Sequence, residues 1–123
     1  MSTKILVVED DKNINMMIQL ILRYKKLDWE FQSAHDGLEA LEILRHYRAD
    51  LALIDLAMPK LDGAALIERI KKDSELSSCK IAVLTSVADK SIEARVKAAG
   101  VLAFWRKPIT ADALFSNIRD LLG

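Results

Sequence analysis

A single cysteine, Cys79, stands among 123 residues. No disulfide can therefore close within the chain, and no thiolate zinc site can form. No apolar run approaches the roughly 20 residues needed to cross a bilayer, although 51% of the residues are hydrophobic, a composition typical of globular chains. Excess charge of either sign is also missing, since 18 Lys and Arg balance 18 Asp and Glu. That balance disfavours electrostatic binding to nucleic acid or to a membrane surface, so any charged site must be local. No glycine-rich loop follows an apolar run, which counts against nucleotide binding. The opening MSTKILVVEDD carries no cleavable apolar stretch, and the expected location is cytoplasmic. With no linker, low-complexity segment or internal repeat, one domain over 1–123 is expected.

What is present alternates between two periodicities. Continuously apolar runs at 4–8, 51–54 and 81–85 read as strands buried on both faces. The stretch 29–34 alternates large apolar with polar residues, as an edge strand with one wetter face does, and 101–106 supplies a fifth strand before Lys107 and Pro108. Between them lie helical patterns. The first, over 13–26, carries Ile14, Met17, Ile18, Ile21 and Leu22 inward; the second, over 37–46, carries Leu38, Leu41 and Leu44. Asp62 before Gly63 marks the start of a third, over 63–72, with Leu66 and Ile70. A fourth, over 88–99, is anchored only by Ile92, Val96 and alanines and is stopped by Gly100. Thr110 caps the last, whose stripe is Leu114, Phe115, Ile118, Leu121 and Leu122.

Five strands each followed by a helix imply right-handed crossovers and a parallel sheet covered on both faces. A closed eight-fold barrel needs about 250 residues, so an open sheet is expected. With the second strand at an edge the order becomes 2-1-3-4-5, and the switch point falls between the first and third strands. The fold class is thus α/β, with a five-stranded parallel sheet and five helices on both faces.

That topology gathers Glu9 and Asp10, after the first strand, beside Asp55, after the third. Three carboxylates in one shallow pocket repel one another until a proton or a cation neutralises them. All-oxygen donors favour a hard divalent ion, and Mg2+ suits the set because it leaves positions for a phosphoryl oxygen. Thr85 and Lys107, ending the fourth and fifth strands, add a hydroxyl and a point positive charge at the same rim. The nucleophile is then a carboxylate, and Asp55 stands centrally.

These residues resemble the response-regulator receiver domains, the phosphoacceptor modules of two-component signalling. The carriers of the resemblance are Glu9 and Asp10 after ILVV, Asp55 in LALIDLAMP, Pro59 and Gly63 in the following loop, then Thr85, and Lys107 with Pro108. The resemblance implies the flavodoxin-like receiver fold. It implies that Asp55 accepts a phosphoryl group from a histidine kinase or histidine phosphotransfer protein. Asp10, Asp55 and the backbone carbonyl of Ala57 would ligate Mg2+, and Glu9 would act through a metal-bound water. Lys107 would contact the phosphoryl group and precede a cis proline.

A switch follows from this layout. A phosphoryl group on Asp55 offers the Thr85 hydroxyl a strong acceptor, and the space behind it is filled in the family by an aromatic side chain, here Phe104. Phe104 lacks the hydroxyl of a tyrosine, and a less sharply gated rotamer is expected. The thinly anchored fourth helix is the element most easily shifted. The expected output surface is therefore helix four, strand five and helix five, facing a downstream protein or linked output domain, or a second copy in a phosphorylation-dependent homodimer. Ala57 and Val87 occupy positions that in the family influence attack of water on the acyl phosphate, and neither can orient a water. Slow self-dephosphorylation is expected, with no other enzymatic activity. Ser86 stands where a smaller residue is usual.

Other features are read from position alone. Strand alternation sends Arg106 to the face of Phe104 and Trp105 to the other, leaving Arg106 as a candidate partner contact. His35 and His46 are expected at the surface, and Met16, Leu20 and Tyr24 form a second stripe on the first helix, read either as wide core coverage or as a docking face for a donor histidine domain, with docking favoured. Two competing functions are carried. A dehalogenase-type aspartyl-phosphate hydrolase needs a second Asp two residues after the nucleophile, where Ala57 stands. A receiver-like interaction module that is never phosphorylated would not need Asp10, Asp55, Thr85 and Lys107.

Overall fold

The apolar runs lie side by side as a parallel sheet in the computed structural model, which describes residues 3–25, 28–58 and 60–123. Strands β1 (Lys4–Val8), β2 (Glu30–Ala34), β3 (Leu51–Ile54), β4 (Lys80–Thr85) and β5 (Ala103–Arg106) are ordered β2-β1-β3-β4-β5. Every pairing is parallel. The order expected from the edge-like pattern of β2 is the observed one. β2 alternates exposed and half-buried residues, while β3 is buried at every position.

Because side chains alternate along a strand, the sheet has two apolar faces and needs two layers of helices. Ile5, Val7, Leu51, Leu53, Ala82 and Leu84 pack under α1 (Lys12–Lys25) and α5 (Ala111–Leu122), where Ile18, Leu22, Leu114 and Ile118 are buried. Trp29 joins this layer, its ring centroid 5.5 Å from that of Phe115. Leu6, Val8, Ala52, Ile54, Ile81 and Val83 pack under α2 (Gly37–Leu44), α3 (Gly63–Lys72) and α4 (Lys90–Ala98).

The helix starts are set by side chains that accept otherwise unpaired N–H groups. Asp36 accepts from Glu39, Asp62 from Ala65, and Thr110 from Ala113. Asp89 accepts from Ser91 and Ile92, which starts α4 at Lys90 rather than at the expected residue 88. α2 ends at Leu44, short of the expected residue 46, and β5 begins at Ala103 rather than 101. α1 is described to Lys25, and residue 26 lies outside the described residues.

Two inward assignments are corrected. In α1, Ile14 and Met17 are 37% and 57% exposed, and the core stripe is Asn15, Ile18 and Leu22. The apolar arc of this helix is too wide for one buried face, so its outer part stays in solvent. In α2, Leu38 is 51% exposed; the buried stripe is Gly37, Ala40, Leu41 and Leu44, whose spacing follows the helical turn more closely than a stripe through Leu38 does.

Two glycines let backbones approach beside the β3–α3 loop. A Cβ on Gly63 would stand 2.5 Å from the Asp55 carbonyl oxygen, and one on Gly37 would stand 2.2 Å from that of Leu61. No larger side chain fits either contact unless the loop moves. Pro59, read as part of this loop, lies outside the described residues.

Candidate functional site

At the C-terminal ends of β1, β3, β4 and β5 the sequence-predicted residues converge. Asp55 follows β3 directly and is 8% exposed; its amide donates to the Val8 carbonyl at 3.0 Å, continuing the ladder to β1. Thr85, the last residue of β4, is fully buried, and its Oγ1 donates to Asp55 Oδ1 at 2.7 Å. Lys107 reaches in from the end of β5, its Nζ donating to Asp55 Oδ2 at 3.1 Å and to Glu9 Oε1 at 2.6 Å. The Lys107 amide donates to the Thr85 carbonyl at 2.9 Å, and the peptide bond from Lys107 to Pro108 is cis. Each oxygen of Asp55 thus meets a separate donor.

Glu9, Asp10 and Asp55 each present a carboxylate oxygen within 4.8 Å of the others, Glu9 and Asp55 buried and Asp10 exposed. Burial pushes the Glu9 carboxyl above its ordinary value of 4.5; hydrogen bonding to Lys107 opposes this, while Asp10 and Asp55 reinforce it. For Lys107, burial works against the charge, but Glu9 and Asp55 outweigh it and hold the ammonium above its ordinary 10.5. Three acids share one ammonium, an excess of negative charge that a hard divalent cation suits. The donor set is all oxygen and lies partly open to solvent through Asp10, so the residues present fit Mg2+. The Ala57 amide donates to Asp55 Oδ1 at 3.2 Å, placing Ala57 against the same carboxylate.

Asn15 escaped the sequence reading. It is 1% exposed, and its Nδ2 donates to the carbonyls of Val7, Glu9 and Ala34 at 3.1, 3.3 and 3.2 Å. Its Oδ1 accepts from Gln19 Nε2 at 2.7 Å and from Ser33 Oγ at 3.1 Å. The Glu9 amide donates to the Ala34 carbonyl at 3.0 Å, so the backbone of Glu9 is held on both sides. The signal in the sequence was an amide occupying a core position one turn before Ile18 and two turns before Leu22.

The remaining candidates fall around this centre. Phe104 is half-buried against the α2–α4 layer, and Arg106 lies on the same side with its guanidinium carbon 5.3 Å from the ring centroid, as alternation requires. Trp105 packs in the opposite layer. His46 is a surface residue and His35 lies 3.2 Å from Glu39 Oε1, neither of them at the acid cluster. Met16, Leu20 and Tyr24 are 63%, 58% and 85% exposed, so the second stripe of α1 is not core.

Comparison with known proteins agrees with this fold. Residues 5–119 match the response regulator receiver domain family. A polar-differentiation response regulator DivK of Brucella anthropi is 31% identical over 124 residues, covering 100% of this chain and 98% of that protein. The CheY-like receiver domain protein of Methanospirillum hungatei superposes with a TM-score of 0.91 at 26% identity, over 99% of this chain and 94% of the other. The phosphorylated cyanobacterial phytochrome response regulator RcpA does so with a TM-score of 0.86 at 28% identity, over 98% and 91%. With residues 5–119 matching that family and the sheet ordered β2-β1-β3-β4-β5, this chain belongs to the response-regulator receiver domains of two-component signalling.

Proposed function

We propose that the chain is the phosphoacceptor switch of a phosphorelay, a single receiver domain over 1–123 working in the cytoplasm. The observation that carries this reading is the double hold on Asp55, with Thr85 on Oδ1, Lys107 on Oδ2 and the acids Glu9 and Asp10 alongside. An Asp55 oxygen attacks the phosphorus of a phosphohistidine; the O–P bond forms, the P–N bond breaks, and the electron pair stays on the leaving ring nitrogen, giving a neutral imidazole when the other ring nitrogen carries its proton. Lys107 and Thr85 are placed to donate to the phosphoryl oxygens as charge builds on them. Glu9, Asp10, Asp55 and the Ala57 carbonyl would hold Mg2+, which when bound neutralises the carboxylates and the incoming phosphoryl charge.

The donor is a histidine kinase or histidine phosphotransfer protein. The outer face of α1 supports a helical partner: Ile14, Met17 and Leu20 are exposed, and between α1 and α5 a groove of about 270 Å³ runs past Ile21 and Ile109 to Lys107 and Pro108. A histidine carried on a helix seated there arrives at the phosphoacceptor. Output passes through α4, β5 and α5, where α4 buries only Val96, to a downstream protein, a linked domain or a second copy. Ala57 offers no second acid, which favours a switch over a hydrolase.

Incubation with phosphoramidate and Mg2+, followed by intact mass, tests the reading. A single phosphoryl adduct is expected on the wild type and none on Asp55→Asn. Release of phosphate within seconds would favour the hydrolase, and no adduct on the wild type would leave an interaction module.

A further inference from the structure

Arg106, a candidate partner contact by its place in the sequence, has its guanidinium engaged within the chain. Nη1 donates to the Val87 carbonyl at 2.7 Å, and Nη2 donates to Glu93 Oε1 on α4. The other oxygen of Glu93 accepts from Lys97 Nζ at 2.7 Å. Both cations lie over one ring, Arg106 at 5.3 Å and Lys97 at 5.6 Å from the Phe104 centroid. In the other direction, the Val87 amide donates to Thr85 Oγ1 at 3.2 Å, and that hydroxyl donates to Asp55 Oδ1. An unbroken set of contacts therefore runs from the buried carboxylate through Thr85, Val87 and Arg106 to Glu93.

The direction of the Thr85 proton depends on this set. A hydroxyl has one proton to give, and an N–H arriving at its oxygen leaves that proton for another acceptor. The Val87 amide thus helps to aim the Thr85 hydroxyl at Asp55, and Arg106 grips the carbonyl of the same residue. Phe104 has no hydroxyl with which to reach this turn, but its ring sits 5.3 Å from the Arg106 guanidinium carbon while the planar fork of that side chain serves two acceptors. A lysine ammonium is a point charge on a different stem and lacks that planar fork. α4, with Val96 as its one buried residue, depends on such polar ties to the rest of the molecule.

We propose that Arg106 is a positioning residue that carries the state of Thr85 to α4, holding the Val87 carbonyl and Glu93 with a single guanidinium. This rests on the reading of Asp55 as phosphoacceptor. When the Thr85 hydroxyl turns to a phosphoryl oxygen, the Val87 amide loses its aligned acceptor, the turn after β4 rearranges, and the Val87 carbonyl leaves Arg106. α4 is then tied to β5 through Glu93 alone and moves more freely.

Amide hydrogen exchange over residues 87–99, before and after phosphorylation with phosphoramidate and Mg2+, tests this with intact mass as the check on the adduct. In the wild type, phosphorylation is expected to speed exchange in α4 by about fivefold or more. Arg106→Ala is expected to take the adduct, to exchange fast beforehand, and to change by less than about twofold. Arg106→Lys is expected to behave like Arg106→Ala, which separates the two-acceptor fork from mere charge. Glu93→Gln keeps the side chain's size and removes one end of the tie, so it should also blunt the change. An Arg106→Ala protein with the wild-type response overturns the proposal, as does a phosphorylated wild type with unchanged α4. A wild type without adduct fails one step earlier, and overturns the reading of Asp55 together with this inference.

Discussion

Thr85 Oγ1 serves as donor to Asp55 and as acceptor for the Val87 amide while fully buried. Thr85→Val keeps the shape and removes both bonds, leaving a buried carboxylate oxygen and an N–H each short of a partner. The expected loss is about 1–3 kcal/mol, read as a lower urea midpoint at unchanged slope. Asn15→Leu removes the donor shared by three carbonyls and the acceptor for Gln19 and Ser33. It should cost about 3 kcal/mol or more in the same measurement. The two residues differ in how visible they are from sequence. Thr85 announces itself by ending an apolar run at the sheet rim. Asn15 is hidden, because an amide inside a helical stripe looks like a surface residue until the carbonyls it must satisfy, two from β1 and its loop and one from β2, are brought around it.

α1 shows how far periodicity alone carries. Apolar residues at helical spacing mark the helix correctly but cover more than half its circumference, so the pattern could not say which of them faces the sheet. The structure leaves Met17 and Leu20 exposed, and Met17 lines the groove that leads to Lys107. Single changes to Met17→Glu and Leu20→Glu should alter stability by less than about 0.5 kcal/mol. Phosphotransfer from a histidine phosphotransfer protein should slow by at least about fivefold, with labelling by phosphoramidate unaffected. Equal slowing with both donors would assign the face to folding instead of docking. For α4 the sequence showed its thin apolar anchor, but not the polar ties through Glu93 and Arg95 to Arg106 and Glu68 that join it to β5 and α3. Ties of that kind depend on neighbours distant in the chain.

Across the whole molecule, sheet order and both helical layers were legible because buried parallel strands are written as continuous apolar runs, and β2 alone breaks that pattern. The close approaches at Gly37 and Gly63 were not, since a missing Cβ has meaning only once Leu61 and Asp55 lie against it. The net charge of zero conceals a local excess of acid, and this sets the pH behaviour. Burial raises the Glu9 carboxyl, so the folded, metal-free chain holds a proton there more tightly than the unfolded chain does. That stabilisation is present at low pH and is lost as pH rises from 4.5 through the raised value. Mg2+ competes with that proton. Mg2+ at 100 times its dissociation constant should stabilise the fold by about 2.7 kcal/mol at neutral pH, and the melting-temperature shift should shrink as pH falls through the Glu9 transition. Lys107 behaves in the same sense at higher pH: its raised value keeps its ion pairs intact below 10.5, and their contribution fades as pH climbs through the folded value.

Locating the phosphoryl group decides whether the clustered acids serve Asp55. The protein is incubated with phosphoramidate in Mg2+ or in EDTA, digested rapidly in acid, and its peptides are weighed. Label is expected on the peptide containing Asp55, with Mg2+ only, and nowhere in Asp55→Asn. Label on His35 or His46, labelling that survives EDTA undiminished, or an unlabelled wild type would contradict a metal-assisted aspartyl phosphate.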